Sequence, residues 1–420
     1  MSKKRLDSWK AIADFLNRSL RTVQRWHECN GLPVHRFGGH KGSVFAYEEE
    51  IEHWLTGLAQ TPGKGQGRAY EAIEPGERRS RDLTATADGM WETRSERNIQ
   101  TIADLYRRAI DDDARNAVAL SGLANALVFC TLNEIMDGSM AYPGAIEALR
   151  RIPQRDREPL DAKCPRAWID MLYHRNWLQA RVGFEEVVNK RPSSFALAGL
   201  AAIHVAEGRM QEALQRGWEA WRLSPLVPSL GAFFCWIVYL SGDFHQVLDL
   251  IAQIRAGGGD GNLVTTVEAL VLIQDGSLEA NLDRLEKAAA RFPQNHTLQG
   301  TLGYAYGILG ETSKAWSTHA YLTRFAETNR KSNGYALAIA SIGLSGSHAV
   351  ISWLDTAYAE GTFWSLGFGF DPMLRIFKGD PRFERLVSKI GVAAPVRAEA
   401  VFPGRVSDPF LECALVGENP

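Results

Sequence analysis

Four glycines, Gly208, Gly242, Gly276 and Gly310, stand 34 residues apart, and other columns keep the same phase. Seven residues before each is a mostly small residue (Ala201, Cys235, Ala269, Gly303), and six after is a large apolar one (Leu214, Leu248, Leu282, Trp316). Twelve after come Ala220, Ile254, Ala288 and Leu322, and seventeen after come Pro225, Gly259, Pro293 and Glu327. A fixed period of this length restricts the chain to stacked copies of one supersecondary unit, because a single copy cannot bury its apolar face alone. Small residues let two helices cross closely, glycine supplies the turn between them, and Pro or Gly at the exit ends the second helix.

A 34-residue unit of two helices with these columns resembles the tetratricopeptide repeat. The resemblance implies an α-solenoid over residues 96–391, with a concave face suited to a protein or peptide partner, or to a second copy of the chain. Weaker copies are visible at residues 99–126 and at 165–192, where Ala180, Phe184 and Val187 keep the spacing. The pattern continues at 336–344 and 349–359. Phe370-Asp-Pro-Met-Leu and Gly379-Asp-Pro-Arg-Phe then resemble the terminal helix of such arrays, which implies a cap on the last exposed face. His204, Tyr304 and Tyr306 are candidates for the groove, although the helix core is the commoner fate of such side chains. Residues 392–420, rich in proline, are expected to form a loose tail.

The N-terminal segment follows other rules. Trp9, Ile12, Ala13 and Leu16 recur at helical spacing and predict a helix over residues 8–16, capped by Asp7 or Ser8. After a turn at Asn17-Arg18, Ser19 caps a second helix over 19–28, with Leu20, Val23 and Trp26 as its buried stripe. Arg21, Thr22, Gln24 and Arg25 face outward. Asn30-Gly31 stops it, and two extended runs around Gly38 to Gly42 predict a β-hairpin ending at Tyr47. A third helix over 48–58 places Ile51, Trp54, Leu55 and Leu58 on one face. Helix, turn, helix, wing and helix resemble the MerR/excisionase-like winged helix-turn-helix family. The match rests on Ala13, Leu16, Ser19, Thr22, Trp26, Gly31-Leu32-Pro33 and the hairpin.

That resemblance implies a module over residues 1–58 whose second helix enters the major groove of double-stranded DNA. It puts base or phosphate contact on Arg21, Thr22 and Arg25, and phosphate contact on Arg18, Arg36 and Lys41. Ser19 opens the recognition helix, and the helix face adds Gln24. Charge agrees: residues 1–47 hold nine basic and three acidic side chains, a net +6 on a chain of net −2. A basic module on a near-neutral body suits phosphate backbones.

Between the two modules, residues 59–95 are rich in Gly, Pro, Arg and Glu without apolar period, and are expected to be a flexible linker. At 45% hydrophobic and 23% charged, the chain falls in the soluble multidomain class. Five cysteines without a CxxC pattern predict free thiols in a reducing cytoplasm. No secretory signal is expected from Met1-Ser-Lys-Lys-Arg, and the apolar run at 230–240 is about half a bilayer span. HExxH, GxSxG and Walker patterns are absent, so no enzyme, metal or cofactor is expected. The sequence therefore predicts a mostly α, cytoplasmic, bacterial-type transcriptional regulator. The alternative is a tetratricopeptide scaffold or signalling adaptor whose small domain does not read DNA.

Overall fold

The computed structural model of the 420-residue chain describes residues 5–16, 20, 23–24, 26–27, 31–36, 44–60, 74–153, 159–274, 276, 278–329, 333–344 and 347–391, with backbone alone at 36, 55–60, 329 and 347–348. The chain divides into two compact units, residues 1–73 and 74–420.

In the first unit, β1 (Arg5–Leu6) precedes α1 (Trp9–Leu16), and β2 (His35–Arg36), β3 (Val44–Tyr47) and α2 (Glu48–Gln60) follow. The Ser8 hydroxyl accepts from the Ala11 amide at 3.0 Å, which caps α1. Leu20, Val23, Gln24, Trp26 and His27 have helical backbone. The strands form an antiparallel sheet in the order β1-β3-β2, with Leu6 opposite Ala46 and His35 opposite Phe45. Ile12, Ala13, Val23, Leu32, Ala46 and Ile51 make the core, and Trp9, Trp26 and Trp54 pack around it. The indoles are therefore packing residues, with Trp26 and Trp54 5.8 Å apart.

Two features depart from expectation. Leu20 is 46% exposed instead of buried. The small core reaches Val23 and Trp26, where the Leu32 amide bonds the Trp26 carbonyl, and stops short of the start of that helix. Strand β1 adds an edge that two residues are too short to announce by period.

The second unit is a tetratricopeptide-type array of helix pairs. These are α3 (Pro75–Trp91) with α4 (Ile99–Asp112), α5 (Ala117–Leu132) with α6 (Gly138–Arg150), and α7 (Leu160–Leu172) with α8 (Trp177–Lys190). Then come α9 (Ser194–Ala206) with α10 (Met210–Leu223), α11 (Pro228–Ser241) with α12 (Phe244–Ala256), and α13 (Asn262–Gln274) with α14 (Leu278–Arg291). The last are α15 (His296–Ile308) with α16 (Thr312–Asn329), and α17 (Gly334–Gly343) with α18 (Ser347–Glu360). The four phased glycines have φ of 73°, 92°, 73° and 79°, a backbone region closed to most side chains. Ala201, Cys235 and Ala269 are fully buried at the crossings. Trp316 breaks its column: it is 56% exposed where Leu214 is buried and Leu248 and Leu282 are partly buried, while the residue before each (Ala213, Val247, Asn281, Ala315) is buried in all four. Helices α9, α11 and α13 are buried along nearly their whole length, because each is covered by its pair and by both neighbouring pairs.

The expected linker over 59–95 is corrected. Residues 61–73 lie outside the described residues, but Pro75–Trp91 is a helix that opens the array. Its contact face is made of Ser80, Thr84 and Ala87, so hydrophobic periodicity misses it. Ser80 Oγ donates to the Ala109 carbonyl at 2.6 Å, and Asn116 Nδ2 donates to Ser80 and Thr84 at 2.9 and 3.0 Å. These hydrogen bonds hold the interface together with the partly buried Leu83, Met90 and Trp91.

The array curves until distant pairs meet. Glu96 accepts from the Asn262 amide at 2.5 Å, and Thr297 Oγ1 donates to Glu134 at 2.6 Å. The described residues end in two 3-10 segments, Phe363–Gly367 and Pro372–Phe377, and α19 (Pro381–Val387). The expected cap is also corrected: α19 does lie against α18, but residues 361–377 turn onto the face made by the first helices of the pairs. Their aromatic side chains would be exposed on an outer cap, and the inner face buries them. The proposed tail, 392–420, lies outside the described residues.

Candidate polypeptide groove and pocket on the inner face

The inner face receives residues 361–377 through side chains that the repeat pattern places inward. Trp236 of α11 is 1% exposed and meets Phe363 at 4.4 Å and Trp364 at 6.2 Å. Tyr335 of α17 stacks on Trp364 and Phe368, with ring centroids 5.5 and 5.9 Å away. Polar groups fix the register. Trp364 Nε1 donates to Glu134 Oε1 at 2.6 Å, and the Tyr142 hydroxyl donates to the Gly361 carbonyl at 3.3 Å. Asp371 caps the second 3-10 segment by accepting from the Met373 amide at 2.9 Å. It also accepts from the Tyr239 hydroxyl at 3.0 Å and from Tyr335. Burial raises the carboxyl pKa of both Glu134 and Asp371, and the bonds they accept oppose that shift.

A cavity of about 420 Å³ lies between the ends of α3 and α10. Trp91, Tyr106 and Phe195 wall it, Val118 and Leu223 stand at its margin with 43% and 44% exposure, and Arg94 lies at its base. Arg94 is 1% exposed, with its guanidinium 4.4 Å over the Trp91 ring and within 6 Å of Phe129 and Phe195. Burial lowers its pKa to about 10, so it remains charged at neutral pH.

Of the sequence-derived DNA contacts, Gln24 is exposed on helical backbone and Arg36 lies in β2 opposite Val44. Arg18, Ser19, Arg21, Thr22, Arg25 and Lys41 lie outside the described residues, as does the turn joining β2 to β3. His204 and Tyr306 are core rather than groove, 9% and 8% exposed, while Tyr304 is half-buried. Sequence reasoning missed Arg94, Glu134 and Asp371 as functional candidates. Arg94 sat in the supposed linker, and each of the other two has a partner more than 100 residues away. Cys130 and Cys164 are buried, which pushes both thiols up to about 12 and makes them unreactive. Among the described residues no cluster could hold a metal ion, and no helix is long and apolar enough to cross a membrane.

His204 carries a pH dependence. Burial, reinforced by Arg209 and Arg181, lowers its pKa to about 4. A depressed folded value gives stability that is present above the unfolded pKa of about 6.5 and is lost as pH falls toward 4. His204→Leu is therefore expected to flatten the acid limb of the stability curve by about 2–3 kcal/mol over that window. Denaturant titrations of both proteins at matched pH check it; parallel acid limbs would contradict it.

No protein-family model matches the chain, and no curated protein matches it. Solved structures similar to it are repeat proteins of the tetratricopeptide class. One is from the APC/C hetero-tetramer Cut9–Hcn1, at 13% identity and a TM-score of 0.46, covering 81% of this chain. This chain spans 59% of the length of that one. Yeast Tom70 is 12% identical with a TM-score of 0.38, covering 90% of this chain and 83% of Tom70. Pseudomonas aeruginosa PilF is 13% identical with a TM-score of 0.34, covering 53% of this chain and 97% of PilF. Likenesses of this degree carry no argument about function.

Proposed function

We propose that the chain is an interaction scaffold whose helical array takes up a partner polypeptide on its inner face. The observation that carries this is the face's own occupant: residues 361–377, built of two short 3-10 segments, are held there by bonds from Tyr142 to the Gly361 carbonyl, from Tyr239 to Asp371 and from Trp364 to Glu134. A surface that binds polypeptide within the chain has the donors, acceptors and aromatic slots to bind it from another. Val118 and Leu223 are exposed apolar side chains at the margin of the 420 Å³ cavity. A random peptide library selected against the intact protein should enrich one motif, and Val118→Arg should abolish its binding. No enrichment, or binding indifferent to Val118→Arg, would contradict the proposal.

A second reading is favoured by the net +6 charge of residues 1–47 beside an antiparallel strand pair and helical backbone at Leu20, Val23, Gln24, Trp26 and His27. In it the first unit is a winged helix-turn-helix that brings the scaffold to DNA. Arg21→Ala with Arg25→Ala should then weaken site-specific binding by about 2–6 kcal/mol, since each good base contact contributes ~1–3 kcal/mol. Selection from a randomised duplex pool at two salt concentrations checks this. Failure to enrich any motif would remove the DNA role and leave the scaffold standing.

A further inference from the structure

The base of the 420 Å³ cavity holds more hydrogen-bond donors than the protein answers. A guanidinium offers five N–H groups. In Arg94, one bonds the Trp91 carbonyl at 3.0 Å and one reaches Ser194 Oγ at 3.4 Å. Its Nε has no partner, and the guanidinium makes no ion pair among the described residues. Ser194 and Ser224, each 7% exposed, share one hydrogen bond of 2.9 Å. Whichever hydroxyl donates in that bond, the other keeps a proton to give.

The carboxylates nearby do not supply the missing acceptor. Asp88 is engaged by the Tyr106 hydroxyl at 2.7 Å, Asp161 is paired with Arg191, and Glu92 is exposed to solvent. Glu92 acts on Arg94 electrostatically from the solvent side only, and a buried cation so placed is stabilised further when something anionic joins it. The aromatic walls would cover a planar apolar body of modest size. We infer that this cavity binds a small organic anion, its carboxylate or phosphate seated on Arg94 and the Ser194–Ser224 pair and its apolar part along the wall made by Trp91, Phe195 and Val118.

Calorimetric titration of the intact protein with phenylacetate, phenyl phosphate and the neutral benzyl alcohol tests this. One or both anions should bind saturably, with a dissociation constant on the order of 1 mM for probes this small, and the alcohol should not. Binding of only one anion identifies the charged group as carboxylate or phosphate. Arg94→Met should weaken the binding about tenfold or more. Should that variant not fold, Ser224→Ala should weaken it severalfold while leaving the far-UV spectrum unchanged. The inference is overturned if neither anion binds, if the alcohol binds equally well, or if the folded variants bind like the parent. Peptide selection on the inner face is read separately, so failure of either result leaves the other interpretable.

Discussion

Trp236→Ala is expected to lower the stability of the array by about 3–5 kcal/mol, the range for removing a fully buried large aromatic side chain. The effect belongs at the top of that range because Trp236 fills space from two directions. On its own helix it stacks with Phe233 at 5.9 Å, and across the inner face it meets Phe363 and Trp364. Gly367 passes so close that an added Cβ would lie 2.6 Å from the indole. The cavity left by alanine cannot collapse, since α11 is fixed by its neighbours on both sides. Residues 361–377 should therefore loosen together, and proteolysis should cut there first. Urea unfolding of the variant checks the magnitude; a loss below about 1 kcal/mol would mean that the indole is not the anchor described.

The second large effect is expected at Gly307. Helices α15 and α17 pack backbone against backbone: a Cβ on Gly307 would collide with the Gly343 carbonyl, and one on Gly300 with that of Ala336. From the other side, a Cβ on Gly343 would lie 2.8 Å from Tyr304 Cα. No rotamer relieves an overlap with main chain, so Gly307→Leu must part the helices or unwind one. A cost of about 3 kcal/mol or more follows, at the upper end of overpacking penalties. Gly310→Leu, whose strain comes from its φ of 79° with open space around it, should cost about 1–2 kcal/mol. Thermal unfolding of the two variants side by side checks the ranking, and equal losses would contradict the close packing.

What the sequence made legible was the part of the fold that repeats. Gly208, Gly242, Gly276 and Gly310 occupy the turn that their spacing implied, and Ala201, Cys235 and Ala269 occupy the crossings. Local period could not show where a non-repeating segment goes. Phe363, Trp364 and Asp371 find partners on α11 and α17 and at Glu134, and no pattern within a single repeat encodes such pairings. Helix α3 was hidden for another reason: Ser80, Thr84 and Asn116 hydrogen-bond at its interface, and polar composition reads as linker. Arg94 was hidden with it. In the first unit, Trp9, Trp26 and Trp54 pack around the core as their spacing implied, while Leu20 does not because that core is too small to reach it.

The most direct test of the inner face as a polypeptide-binding surface is amide hydrogen exchange of the intact protein across residues 361–377. The account predicts protection for the Phe368, Phe370, Asp371 and Met373 amides approaching that of α11, because these amides are bonded and the segment is buried against that helix. Exchange of these amides at the rate of an unfolded chain, with α11 still protected, would contradict it.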